Sequence, residues 1–231
     1  MVKPWAVHPK TAVDEFIDLL YRLPSIYQDY DKLERMTDPE MLVNGYHDCA
    51  KKLHEVDTAL RDLYAEFQTS AWSGPLYWPE LSTLDSELDD PVSGKLFPIS
   101  FHFPTYTIAQ CVTMYWAGIL AVDFPLMDAH AKLAELEPGV NAAENRRQSD
   151  MYHTEWTTMA KNICQSTEYY MAEETGGVGS MNMLSLLRGT QSCYESSSED
   201  WTNEIAWITS MMERLRRRFS FSVDEVLAQV V

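Results

Sequence analysis

The sequence has little cysteine. Its four residues, Cys49, Cys111, Cys164 and Cys193, include no C-x-x-C pair, which excludes a zinc ribbon or knuckle. Their flanks are apolar and helix-compatible, as at Gln110-Cys111-Val112 and Ile163-Cys164, so buried, reduced thiols are expected. Base is scarce too: 18 Lys and Arg stand against 35 Asp and Glu, a formal net charge of -17. Grip on DNA or RNA rests on Lys and Arg that neutralise phosphates and release counterions. The chain is therefore expected to hold no nucleic acid directly and to be repelled by an anionic membrane.

Other absences narrow the field further. The first ten residues lack the apolar core and small-residue cleavage site of a secretory signal. The longest apolar stretch, Ile108 to Met127, is broken by Gln110, Thr113, Asp123 and Pro125. It reads as a buried core helix rather than a membrane span. An intracellular protein, in nucleus or cytoplasm, is expected. No alternating β-branched run reaches strand length with hairpin punctuation, and there is no internal repeat.

Catalytic signatures are missing in the same way. No G-x-S-x-G or G-K-[ST] occurs. His47 and His54 share a helical face but lie about two turns apart, too far to chelate one ion unaided. His153 and Glu155 mimic the H-x-E of zinc deaminases without the P-C-x-x-C that accompanies it. Thr175 to Ser180 is glycine-rich but follows a helix, so a helix-to-helix connection is expected rather than a nucleotide loop. Asp85, Glu87, Asp89 and Asp90 could hold magnesium as in helical terpene cyclases. The second motif of those enzymes fails here, since Tyr170 stands where Glu is required after Asn162 and Ser166. These residues argue for no catalytic group, metal or cofactor.

What is present is apolar and helical. Hydrophobic residues make up 45% and aromatic residues 12% of 231, with 7 Trp, enough for one core or two closely packed helical subdomains. Periodicity predicts a helix over 11–21, ended by Leu23-Pro24. A second runs from Thr37-Asp38-Pro39-Glu40, with Thr37 as cap, to about Thr69. Residues 70–103 break the rhythm with repeated Pro and Gly and form one long connection, pinned to the core by aromatic residues. A helix over 105–124, apolar all round, is kinked by Pro125 before continuing to Leu136. Further helices are expected over about 145–173, 181–194 and 199–218, followed by an amphipathic tail over 223–231. The fold class is all-α: a single irregular bundle of about six to seven helices over 1–231.

Two surfaces attract attention. Tyr115, Trp116, Trp156, Tyr169 and Trp207 are large and near the predicted core. They are candidates for lining a ligand pocket between helices, or simply for packing. Arg214, Arg216, Arg217 and Arg218 are the one basic island. At a helix C-terminus they complement the macrodipole; alternatively they dock an acidic partner.

Several segments, in order, resemble a known family. They are Leu96-Phe97-Pro98-Ile-Ser-Phe-His-Phe103 followed by Met114-Tyr115-Trp116-Ala-Gly-Ile-Leu120; Ala160-Lys-Asn-Ile163-Cys164-Gln-Ser166-Thr-Glu-Tyr169-Tyr170; and Asp200-Trp201-Thr-Asn-Glu-Ile205-Ala-Trp207 with Arg218-Phe-Ser-Phe221. Together they look like the L-F-P-x-S-x-x-F, Y-W-A-x-x-L, A-x-x-I-C-x-S-x-x-Y and W-x-x-E-I-x-W motifs of fungal zinc-cluster transcription factors, within their helical regulatory region. The resemblance spans about Leu19 to Phe221. It departs from the family in lacking the six close cysteines and basic linker that touch DNA, and Met183-Leu-Ser-Leu-Leu187 lacks the family's L-F-P-L proline.

The resemblance implies a stand-alone regulatory domain that modulates transcription, for example of a secondary-metabolite gene cluster. It would act through a protein partner or its own kind, by the arginine patch and the 70–103 connection. The alternative is a helical protein of such a pathway that binds or transforms a small molecule.

Overall fold

The computed structural model describes residues 9–70, 72–90, 92 and 94–228, with side chains through 218. The fold is all-α, 74% helical with one two-stranded sheet. In chain order the elements are α1 (Ala12–Leu20), α2 (Leu23–Leu33), α3 (Pro39–Ser70), β1 (Trp78–Leu81), β2 (Ile99–His102), α4 (Tyr106–Leu136), α5 (Val140–Gln165), α6 (Thr167–Tyr170), α7 (Gly176–Ser196) and α8 (Thr202–Ala228). A short 3-10 turn, Glu173–Thr175, precedes α7. Among the described residues, six helices have eleven residues or more.

Local chemistry explains the boundaries. Thr11 caps α1 in a capping box with Asp14. At α3 the cap is Asp38 rather than Thr37: its carboxylate accepts from the Glu40 and Met41 N–H groups at 3.0 and 3.2 Å. Pro24 does not merely stop a helix. It sits in the first turn of α2, where its missing N–H costs nothing. Pro125 lies inside an uninterrupted α4, where a proline leaves the carbonyl four residues earlier without its donor. That carbonyl is Ala121's, and the Tyr27 hydroxyl donates to it at 2.5 Å.

Four further expectations are corrected. The connection over 70–103 contains strands: β1 and β2 pair antiparallel with Trp78 opposite His102 and Leu81 opposite Ile99. Each has only four residues, too short for a periodic signal. The helix expected to reach Glu173 breaks at Ser166, whose hydroxyl donates to the Asn162 carbonyl at 2.9 Å in competition with the helix ladder. The glycine-rich stretch opens α7 instead of forming a loop; only Gly176, at φ 58, has a backbone that demands glycine. Finally, α8 runs on to Ala228 with no basic residue in its last turn. The arginines therefore do not neutralise a helix C-terminus.

The described residues group into two compact units. The first draws on Met1–Ser73 and Met114–Met159, the second on Gly74–Thr113 and Ala160–Val231, so α4 and α5 contribute to both. The first unit buries Phe16, Leu53, Leu60, Ile119, Leu126, Leu133 and Trp156 completely. Its α3 and α4 approach closely at Gly118, where a Cβ would stand 3.1 Å from Leu60. The second unit buries Ile163, Tyr170, Met183, Leu187 and Ile208, with α7 and α8 packed along each other. Among the described residues, α4 is the helix long and apolar enough to cross a membrane by length and composition, and 67% of that window is buried inside the protein. The four thiols are unpaired, with Cys49, Cys111 and Cys164 buried and Cys193 half-buried.

Candidate functional site

The first unit carries polar side chains where its helices face one another. α3 contributes His54, Asp57 and Arg61, α4 contributes Tyr115, Asp123 and His130, and α5 contributes Asn145, Tyr152 and Glu155. Three rings meet at one end: His54 and His130 lie 6.0 Å apart by ring centroids, and Tyr152 is 5.8 Å from His54 and 5.7 Å from His130. The Tyr152 hydroxyl and His54 Nδ1 are 3.2 Å apart. His130 Nδ1 meets the Asn145 side-chain oxygen at 2.9 Å. An amide oxygen only accepts, so in the neutral ring Nδ1 carries the proton and Nε2 the lone pair. That Nε2 is buried and has no hydrogen-bond partner. Burial, then the neighbouring His130, holds the His54 imidazole below its ordinary pKa, with Asp57 opposing.

Next to the rings lies a charged cluster. Arg61 Nε donates to both Asp57 carboxylate oxygens at 2.8 and 3.0 Å, and its Nη1 pairs with Glu155 at 2.8 Å. Asp123 is fully buried, and neither carboxyl oxygen has a hydrogen-bond partner. Burial pushes its pKa up to about 8, helped by Glu155 and Asp57 and opposed by Arg61. Asp123 is thus a neutral acid at pH 7. In the same unit, Tyr115 stacks on Tyr64 with centroids 3.9 Å apart.

The histidines open onto a surface groove of about 610 Å³ lined by His47, Ala50, Lys51, His54, Glu55, Thr58 and His130. That volume is within the range of small-molecule sites. At its rim His47 Nε2 lies 3.1 Å from Glu137.

The second unit brings together three of the segments that carry the family resemblance, while residues 114–120 lie in the first. Phe97, just before β2, packs edge-on against Trp207 of α8 at 4.6 Å. Phe103 meets Tyr169 of α6 at 5.0 Å. The Glu168 carboxylate accepts from the Ser82 hydroxyl at 2.8 Å and from the Thr83 N–H at 3.2 Å. Burial opposes ionisation there, but these hydrogen bonds hold the carboxyl below its usual range. Between these contacts is a small pocket of about 10 Å³ lined by residues of all three segments, including Phe97, Ser100, Cys164, Glu168 and Trp207.

The five aromatic residues chosen from sequence do not form one site. Tyr115, Trp116 and Trp156 are buried in the first unit, and Trp156 packs edge-on against Phe124 at 5.6 Å. Tyr169 and Trp207 belong to the second, in the ring contacts just given. The arginines are engaged within their own unit. Arg214 donates to the Asp85 carbonyl at 2.6 Å, Arg217 lies 3.5 Å from Glu213, and Arg218 donates to the Met171 carbonyl. Arg216 is exposed.

Sequence reasoning missed His130, Asn145, Tyr152 and Asp123 as site residues. The usable signal was the polar exceptions inside apolar helices, Asp123 above all. Among the described residues no three His, Cys, Asp or Glu are grouped so as to hold a metal ion. Comparison with protein-family models, curated proteins and solved structures gave no match.

Proposed function

We propose that the chain is a stand-alone helical regulatory module that modulates transcription through protein contacts and does not itself grip nucleic acid. The observation that carries this reading is the convergence in the second unit. Three separated segments resembling the fungal zinc-cluster regulatory region pack on one another through Phe97–Trp207 and Phe103–Tyr169. Residues that recur as ordered motifs and also touch in space behave as one folding signature rather than as coincidental matches. The formal charge of -17 supports the second half of the reading.

The contact surface, on this reading, is the exposed side of the 74–95 segment. Leu81 and Val92 there are 79% and 97% exposed, and Trp78 and Leu88 are also exposed. Apolar side chains left in water favour a partner that covers them. The test is a reporter assay with the full chain fused to a heterologous DNA-binding domain. Expression should change with the intact chain, and a Leu81→Asp, Leu88→Asp double variant should abolish the change while keeping the helical circular dichroism spectrum. An inert fusion, or tight salt-sensitive binding of the purified chain to duplex DNA, refutes the proposal.

A further inference from the structure

We infer that the groove beside His54 and His130 is a binding site for a small organic anion. The inference does not rest on the regulatory reading, since it concerns the first unit alone.

Three observations meet there. The first is the chemistry of its side chains: three imidazoles, His47, His54 and His130, and the Lys51 ammonium stand with a single carboxylate, Glu55. His47 is occupied by Glu137 at 3.1 Å, whereas Lys51 is exposed. The second is the pair of rings: His54 and His130 both line the groove, with centroids 6.0 Å apart. The third is size and lining. A volume of about 610 Å³ exceeds what an inorganic ion needs. Ala50, the Thr58 methyl and the aliphatic stems of Lys51 and Glu55 offer apolar surface to an organic body.

These features select an anion over a neutral ligand. Burial first, and then repulsion from the His130 ring 6.0 Å away, make His54 resist protonation when the groove is empty. A carboxylate or phosphate placed between them and Lys51 reverses that balance. His54 then takes a proton and donates a charge-assisted hydrogen bond to the ligand. Binding is therefore coupled to proton uptake. It strengthens as pH falls through the histidine range and weakens above it. The other charged groups facing the rings are Asp57 on α3, which favours the charged form of His54, and Glu144 on α5, which senses His130 but is held by Arg147 at 2.6 Å. Tyr152 and Asn145 contribute neutral hydrogen bonds.

The test is calorimetric titration of the full chain with benzoate, phenyl phosphate, benzamide and inorganic phosphate, at about pH 6 and about pH 8. Each anion that binds is repeated in two buffers of different ionisation enthalpy. One or both organic anions should bind, more tightly at the lower pH and with net proton uptake, and benzamide should not. If only one does, that one identifies the headgroup. Lys51→Met, an exposed substitution that spares the fold, should weaken binding roughly tenfold. His54→Gln should abolish the proton uptake, with circular dichroism checking that it folds. Absence of binding by both organic anions at the lower pH overturns the inference. So does affinity independent of pH and undiminished in Lys51→Met. Inorganic phosphate binding as tightly as phenyl phosphate would refute the organic character of the ligand.

Discussion

Replacing Asp123 by Asn should make the first unit less sensitive to alkali. The Asp123 carboxyl is fully buried with both oxygens unpartnered, and its pKa in the folded chain is pushed up to about 8. In the unfolded chain it titrates near 3.9. The folded state therefore binds this proton more tightly. Stability is greatest below about pH 4 and falls by about 1.4 kcal/mol per pH unit until the folded pKa is passed. From pH 5 to pH 8 this single group costs the wild type roughly 3–4 kcal/mol. That is a large share of the 5–15 kcal/mol that holds a typical domain together. Other carboxylates and histidines also titrate over this range, so the useful quantity is the difference between wild type and variant. Urea denaturation of both at pH 5, 7 and 8 should give curves whose midpoints converge or cross as pH rises, the variant losing less. The amide adds a pH-independent offset of its own, because it too lacks partners. Parallel pH dependences in the two proteins would show that Asp123 is ionised or solvated in the folded state and would refute the reasoning.

Tyr27→Phe should destabilise the chain by about 1 kcal/mol in urea, because the Ala121 carbonyl loses the hydroxyl that replaces Pro125's missing N–H. In the Pro125→Ala background, where an N–H returns, the same substitution should cost measurably less; equal costs would break the link. Glu168→Gln should weaken the hold on Ser82 and Thr83 and expose 82–84 to faster amide hydrogen exchange, at a cost of about 1–3 kcal/mol. Unchanged exchange there would argue against it. Gly179→Ala would put a Cβ 2.5 Å from the Thr175 side chain and 3.2 Å from the Tyr170 carbonyl. It should lower stability by about 1–3 kcal/mol by thermal melting, and a variant as stable as wild type would show that the α7 start has room to relax.

The long helices were legible because each needs only its own sequence. Leu42, Tyr46, Cys49, Leu53, Val56 and Leu60 recur along α3 at helical spacing, and of these all but Leu42 are buried. Where the reading slipped, one residue admitted two roles. Pro24 ends a helix or begins one, and Pro125 kinks a helix unless a neighbour serves the freed carbonyl. Tyr27, which does so, lies on another helix that the pattern of α4 cannot announce. The strands β1 and β2 owe their existence to pairing across the seventeen residues between them, not to a run of their own.

The candidate site was harder to see for a related reason. Periodicity identifies the face a helix turns inward but assumes that face to be apolar, so it treats polar residues there as interruptions. Asp123 was read in that way, as a break in an apolar stretch. The structure instead buries it completely, within electrostatic reach of Glu155, Asp57 and Arg61. Burying an unpartnered carboxyl is costly, and side chains that merely pack have no need of one. Choosing large aromatics by size found residues such as Trp156 whose surfaces are already consumed by neighbouring rings. Polar side chains set between helices, as His54 and His130 are, also reach the groove surface, and their bonding capacity there is what a ligand can use.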